Sequence, residues 1–136
     1  MSIVKRFLEW IKLKEKLHSG TYNPPLFKQQ EVWWCSLGEN IGTEINGKSM
    51  LFSRPTLIYK KLGTHSFLAI PMTSQPKQES WYVKIKLFNK ASTILLNQMR
   101  VLDYRRLSSK LGEIDKEDFA AVRTGFRKLY IDDKPS

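Results

Sequence analysis

Arg54-Pro55-Thr56-Leu57-Ile58-Tyr59 and Phe67-Leu68-Ala69-Ile70-Pro71-Met72-Thr73-Ser74-Gln75 decide how this chain folds. Each run is short and apolar and is bounded by polar or turn-forming residues, the pattern of a buried strand. The connection Lys60-Lys61-Leu62-Gly63-Thr64-His65 is short enough for an antiparallel hairpin. In such a hairpin the start of the first strand lies beside the end of the second, so Arg54 and Thr73 are expected at one edge of the sheet. A fixed guanidinium near a hydroxyl suits a phosphate group. The periodicity is equally compatible with a surface arginine and a threonine that merely caps its strand.

Outward from this pair the chain continues in short strands. Glu31–Leu37 is aromatic-rich, and Gly38–Lys48 is a polar, glycine-containing loop. Glu79–Phe88 alternates, with Trp81, Val83, Ile85 and Leu87 on one face and Tyr82, Lys84, Lys86 and Phe88 on the other. Thr93–Met99 reads as a further apolar strand. Strands at this spacing predict a small barrel or sandwich rather than a parallel α/β sheet. Helices bracket them. Residues 2–18 are amphipathic, with Ile3, Val4, Phe7, Leu8, Trp10 and Ile11 in an apolar stripe. Ser19-Gly20 and Asn23-Pro24-Pro25 end that helix. It is expected to dock on the core; the sharper reading is an arm that contacts RNA or a second subunit. Asp115 is a good N-cap for a closing helix with Phe119, Val122, Phe126 and Leu129 at helical spacing. The division expected is a helix and linker over 1–26, a main domain over 27–131 and a short tail over 132–136.

A length of 136 residues is one domain with room for a core, and four Trp, five Tyr and seven Phe argue against a disordered chain. A single cysteine, Cys35, excludes an internal disulfide framework and points to a reducing, cytoplasmic setting. Charged residues interrupt the first apolar stretch, so neither a signal peptide nor a membrane span is expected. The net charge of +10 favours a polyanionic partner. It is not confined to the terminus, because residues 1–30 carry six Lys/Arg against two Glu.

Several chemistries find little support. One cysteine and two histidines, His18 and His65, offer no pair at metal-ligand spacing, so no metal or other cofactor is expected. Gly47-Lys48-Ser49 lacks the earlier glycine of a phosphate-binding loop. Cys35, within an aromatic strand, reads as a buried inert thiol. Both histidines read as solvated rather than as an acid–base pair. Cleaving RNA without metal requires a 2′-hydroxyl aimed at its phosphate and neutralisation of charge on the phosphorane, which Arg54 and Thr73 are equipped to assist.

The run Val32-Trp33-Trp34, the loop Gly38–Gly47, Arg54-Pro55-Thr56-Leu57-Ile58, Ile70-Pro71-Met72-Thr73-Ser74-Gln75 and Ile94–Asp103 together resemble the MazF/PemK (Kid) family of toxin endoribonucleases over roughly residues 27–130. The resemblance implies a mainly β fold with appended α-helices, an SH3-like small barrel of the MazF/CcdB kind, here with an extra N-terminal helix. It implies a homodimeric toxin of a type II toxin–antitoxin system that cleaves single-stranded RNA at short sequences to 2′,3′-cyclic phosphate and 5′-hydroxyl ends. An acidic antitoxin protein, and DNA binding in its company, belong to the same expectation. Arg54 and Thr73 match the family's catalytic residues. Asn40, Ile41, Gly42, Thr43 and Glu44 match its RNA-binding loop, and Ser74, Gln75 and Gln98 match further substrate contacts. This chain departs from the compact members in its first 26 residues, in an insertion Ser49-Met50-Leu51-Phe52-Ser53, and in Asn97, where an acidic residue is common. The alternatives are a gyrase-poisoning toxin of the CcdB kind, which needs no Arg/Thr pair, and a module that binds RNA without cutting it.

Overall fold

A computed structural model describes residues 6–20, 23–75, 79 and 81–132. The chain runs α1 (Phe7–Ser19), β1 (Glu31–Ser36), β2 (Ser53–Lys61), β3 (Ser66–Thr73), β4 (Tyr82–Leu87), β5 (Lys90–Leu95), β6 (Arg100–Asp103), β7 (Leu107–Glu113) and α2 (Lys116–Phe126). The seven strands form an antiparallel sheet in the order β4-β5-β3-β2-β1-β7, with β6 paired to β3 beside β5. Within the described residues no pair joins β4 to β7, so the small barrel stays open.

The apolar runs of β2 and β3 are explained by burial on both faces. Leu57, Ile70 and Met72 enter one core cluster with Val32, Ile94 and the α2 residues Phe119 and Val122. Ile58, Phe67 and Ala69 enter a second cluster with Phe27, Trp33, Cys35 and Leu102. Neighbouring residues on one strand thus point into different cores, and each large side chain so buried contributes roughly 1.5–3 kcal/mol. In β4, Ile85 and Leu87 are buried while Lys84 and Lys86 are exposed, in keeping with the expected alternation.

The segment after β5 departs from expectation. Thr93–Met99 is not one strand: β5 ends at Leu95, and Leu96–Gln98 turns as a 3-10 helix before β6 begins. Leu96 is fully buried, so the apolar composition reflects core packing rather than a strand backbone. β6 and β7 follow in residues whose mixed polarity carries no clear period of 2.

Asp115 caps α2, its side chain accepting from the Asp118 amide at 2.7 Å. The α-helix closes at Phe126 and passes into a π turn over Arg127–Ile131, which leaves Leu129 on the surface. Ile3 and Val4 of the N-terminal stripe lie outside the described residues. Of the rest, only Trp10 is buried, at 5% exposure, whereas Phe7, Leu8 and Ile11 are exposed. A 13-residue helix with no capping side chain is marginal alone; Trp10 supplies its tertiary anchor. None of the described helices is long and apolar enough to cross a membrane.

Candidate functional site

The β2–β3 register pairs Thr56 with Pro71 and Leu57 with Ile70. Continued two residues toward the end of these strands, it sets Arg54 opposite Thr73. Both line a cleft of about 350 Å³ with Trp34, Lys48, Ser49, Ser53, Pro55, Met72, Ser74 and Ser92. The hairpin therefore brings the pair together as expected, but at the ends of two inner strands and by way of a bulge between Ile58 and Lys60. No histidine or carboxylate is among the described residues that line this cleft.

Arg54 is held by backbone. Its Nε donates to the Asn46 carbonyl at 2.9 Å and its Nη1 to the Met72 carbonyl at 3.3 Å. A guanidinium carries five N–H donors, so most of its donating capacity is left for an anion. Burial pulls its pKa below the ordinary value for arginine. Thr73, 8% exposed, ends β3 against Thr93 of β5. Its Oγ1 accepts from the Gln75 amide at 3.2 Å, which leaves the hydroxyl proton free to donate. Gln75 is thus tied to the site through its backbone, and its carbonyl accepts from the Thr93 hydroxyl at 3.3 Å.

The expected binding loop lies beside a second cleft of about 350 Å³, lined by Asn40, Glu44, Ile45, Asn97, Gln98, Met99 and Arg100. Its side chains hold one another. Asn40 Nδ2 donates to the carbonyls of Leu37 and Ile45 at 3.2 and 2.8 Å. Glu44 Oε1 accepts from the Ile41 amide at 2.9 Å. Gln98 engages the loop with both ends of its amide: Oε1 accepts from the Ile45 N–H at 2.9 Å and Nε2 donates to the Thr43 carbonyl at 3.0 Å. Ile41, Gly42 and Thr43 form the exposed tip.

Asn46 joins the two clefts. Its side-chain oxygen accepts from the Asn40 amide at 2.5 Å while its backbone carbonyl holds Arg54. Asn46 was not legible as a site residue, because it holds Arg54 through its backbone carbonyl, which any residue could supply. Trp34 was also missed as a lining residue. It stands opposite Pro55 and is 39% exposed on a strand that is otherwise buried. A large aromatic left in the open beside a basic group is a stacking surface for an unpaired base.

The other reactive side chains stand apart. Cys35 is fully buried, and loss of solvation pushes its thiol up to about 12, which makes it inert as a nucleophile. His18 lies exposed on α1, and exposed His65 lies in the β2–β3 turn against the Tyr104 ring. Neither lines the Arg54–Thr73 cleft.

The model of the PemK-like, MazF-like toxin family of type II toxin-antitoxin systems matches residues 28–130. The fold is that of several solved structures. MazF from Deinococcus radiodurans superposes with a TM-score of 0.63 at 24% identity, covering 80% of this chain and 97% of that one. An endoribonuclease from Mycobacterial species, in complex with its cognate antitoxin, gives 0.62 at 17% identity, covering 80% and 99%. A further endoribonuclease from Mycobacterial species gives 0.61 at 16%, covering 85% and 100%. No curated protein matches the chain. An open antiparallel barrel with an Arg/Thr cleft at the ends of its central strands, under a family match over most of the length, defines the class: the chain belongs to the PemK-like, MazF-like toxins of type II toxin–antitoxin systems.

Proposed function

We propose that this toxin is a metal-independent endoribonuclease acting on single-stranded RNA in the Arg54–Thr73 cleft. The observation that carries the reading is the register that sets a backbone-held guanidinium opposite a hydroxyl at one end of the sheet. The 2′-oxygen of a bound nucleotide attacks the adjacent phosphorus, the P–O5′ bond breaks, and a 2′,3′-cyclic phosphate and a 5′-hydroxyl result. The proton lost from the 2′-hydroxyl is balanced by one gained at O5′. Arg54 neutralises charge on the phosphorane with its fixed guanidinium. Thr73 donates its hydroxyl proton in a hydrogen bond to a phosphoryl oxygen. Ser74 and Gln75 flank this contact.

Asn40, Ile41, Gly42, Thr43 and Glu44, with Gln98, border the path of the RNA on the other side of Asn46. Unpaired bases expose the faces and edges that Trp34 and this loop can engage. The basic surface also suits an acidic antitoxin, and relatives have been solved in complex with their antitoxins. We place the protein in the cytoplasm as a homodimer, with residues 27–131 carrying the activity.

The test is cleavage of a long single-stranded RNA in EDTA by wild type, Arg54→Ala and Thr73→Ala. Each substitution is expected to slow cleavage about 10²-fold or more. Equal cutting by wild type and both variants removes these roles. Intact RNA with inhibited DNA supercoiling points instead to gyrase poisoning. Intact RNA that is nonetheless bound points to a non-catalytic binder.

A further inference from the structure

We propose that the two additions to the compact fold, the N-terminal helix and the 49–53 insertion, form one device: α1 clamps the turn that supplies a second cation, Lys48, to the Arg54–Thr73 cleft. The inference rests on the ribonuclease reading for its consequence in RNA binding, and on geometry alone for the clamp.

The turn is closed by reciprocal backbone bonds between Lys48 and Ser53 at 2.8 and 2.9 Å. Inside it, Ser49 and Phe52 have φ of 66° and 49°, left-handed backbone that is costly without glycine and most so for a bulky residue. Something must offset that cost. The Phe52 carbonyl accepts from the Leu37 and Gly38 amides at 2.8 and 3.1 Å. It approaches so closely that a Cβ on Gly47 would stand 1.6 Å from it.

The Phe52 ring is buried, and α1 buries it. Trp10 packs on it with ring centroids 5.6 Å apart, and the Arg6 guanidinium lies 4.1 Å above its centre. Arg6 also donates to the Ser49 carbonyl at 3.2 Å and faces Glu39 at 3.9 Å. Trp10 in turn fills the space beside Gly38, where a Cβ would stand 2.1 Å from its ring, and lies under Arg106. Apart from Arg106, these contacts of Trp10 and Arg6 fall on the insertion or on the loop stem next to it. Trp10 belongs to neither core cluster.

What the clamp fixes is a wall of the cleft. Lys48, Ser49 and Ser53 line it together with Arg54 and Thr73. An ammonium at that wall is positioned for a phosphate neighbouring the one that Arg54 holds. Lys48 is then a substrate-binding residue, while Trp10 and Arg6 are positioning residues that act through the turn.

The experiment compares full-length wild type, Trp10→Ala, Arg6→Ala, Lys48→Ala and the Trp10→Ala/Lys48→Ala pair in cleavage of a single-stranded RNA at several salt concentrations. Lys48→Ala should raise KM severalfold with kcat nearly unchanged, and lower the slope of log(kcat/KM) against log[salt] by about 0.7, one phosphate contact. Trp10→Ala should give the same KM rise and slope loss, and the pair should be no worse than Trp10→Ala. Arg6→Ala, which leaves the Trp10–Phe52 packing in place, should move KM the same way by a smaller factor. It carries the test should Trp10→Ala fail to fold. A folded Trp10→Ala protein with wild-type KM and slope overturns the proposal, as do losses that multiply in the pair. If wild type leaves RNA intact, the ribonuclease reading falls and hydrogen exchange decides the clamp. The Lys48 and Ser53 amides should lose protection in Trp10→Ala, and unchanged protection overturns it.

Discussion

Replacing Gln98 by alanine should release the loop over residues 40–45 before it does anything else. The side chain makes two hydrogen bonds to that loop, one partly buried at 2.9 Å to the Ile45 amide and one exposed at 3.0 Å to the Thr43 carbonyl. A typical net value is about 0.5–1.5 kcal/mol each, the exposed one at the low end. The loss is then roughly 1.5 kcal/mol of local stability, close to a tenfold rise in the open population. Hydrogen exchange reads this directly, because the Ile45 N–H is itself the donor. Protection at Ile45 should fall about tenfold, while core amides such as Ile70 change little. Under the proposed function the variant should raise KM and keep the wild-type cleavage sequence, since an amide spent on the loop is not reading a base. Unchanged protection at Ile45 would refute the latch, and a relaxed cleavage sequence would return Gln98 to base recognition.

Further tests probe the frame around the site. Glu31 is 1% exposed, its Oε1 accepting from the Trp33 indole and the Lys28 amide while Lys110 lies 3.0 Å from Oε2. Burial alone would raise its pKa, but these hydrogen bonds and the Lys110 charge outweigh it and the net shift is downward. Its contribution to stability is therefore full above the ordinary carboxyl value of 4.5 and is lost as pH falls through the lowered one. Glu31→Leu should cost about 1–3 kcal/mol at neutral pH by orphaning the Trp33 and Lys28 donors, and should flatten the acid limb of the unfolding curve. An unflattened acid limb assigns the pH dependence elsewhere. Gly38→Ala places a Cβ 2.1 Å from the Trp10 ring at a φ of +88°, so it should displace α1 and cost about 1–3 kcal/mol. Thermal unfolding and tryptophan fluorescence identical to wild type would show that α1 does not need this approach.

The strands nearest the site were the most legible part of the chain. Thr56–Ile58 of β2 and most of β3 are buried, which leaves two apolar runs joined by a short connection, and that pattern gives the hairpin. Arg54 and Thr73 stand at the ends of those runs, so the hairpin brings them close, but the bulge between Ile58 and Lys60 that sets them directly opposite was not legible. Legibility failed where a contact is tertiary. Leu96 is apolar because it fills the core from a 3-10 turn, which a periodicity of two cannot distinguish from a strand end. β7 is exposed along much of its length and leaves no alternation to read. Asn46 works through its carbonyl, and Trp10 and Phe52 meet across more than 40 positions. Gln98 was singled out by family resemblance as a substrate contact, and its hydrogen bonds to the Ile45 amide and the Thr43 carbonyl are tertiary contacts that no pattern displays.

The account rests most directly on the chemistry of the cut. A single-stranded RNA carrying the cleaved sequence, and the same strand with a 2′-deoxy sugar 5′ to the scissile phosphate, should be incubated with wild type in EDTA and the ends of the products identified. The all-ribose strand should yield a 2′,3′-cyclic phosphate and a 5′-hydroxyl, and the deoxy strand should stay intact. Cleavage of the deoxy strand, or products bearing a 5′-phosphate, would contradict attack by the 2′-oxygen and with it the roles assigned to Arg54 and Thr73.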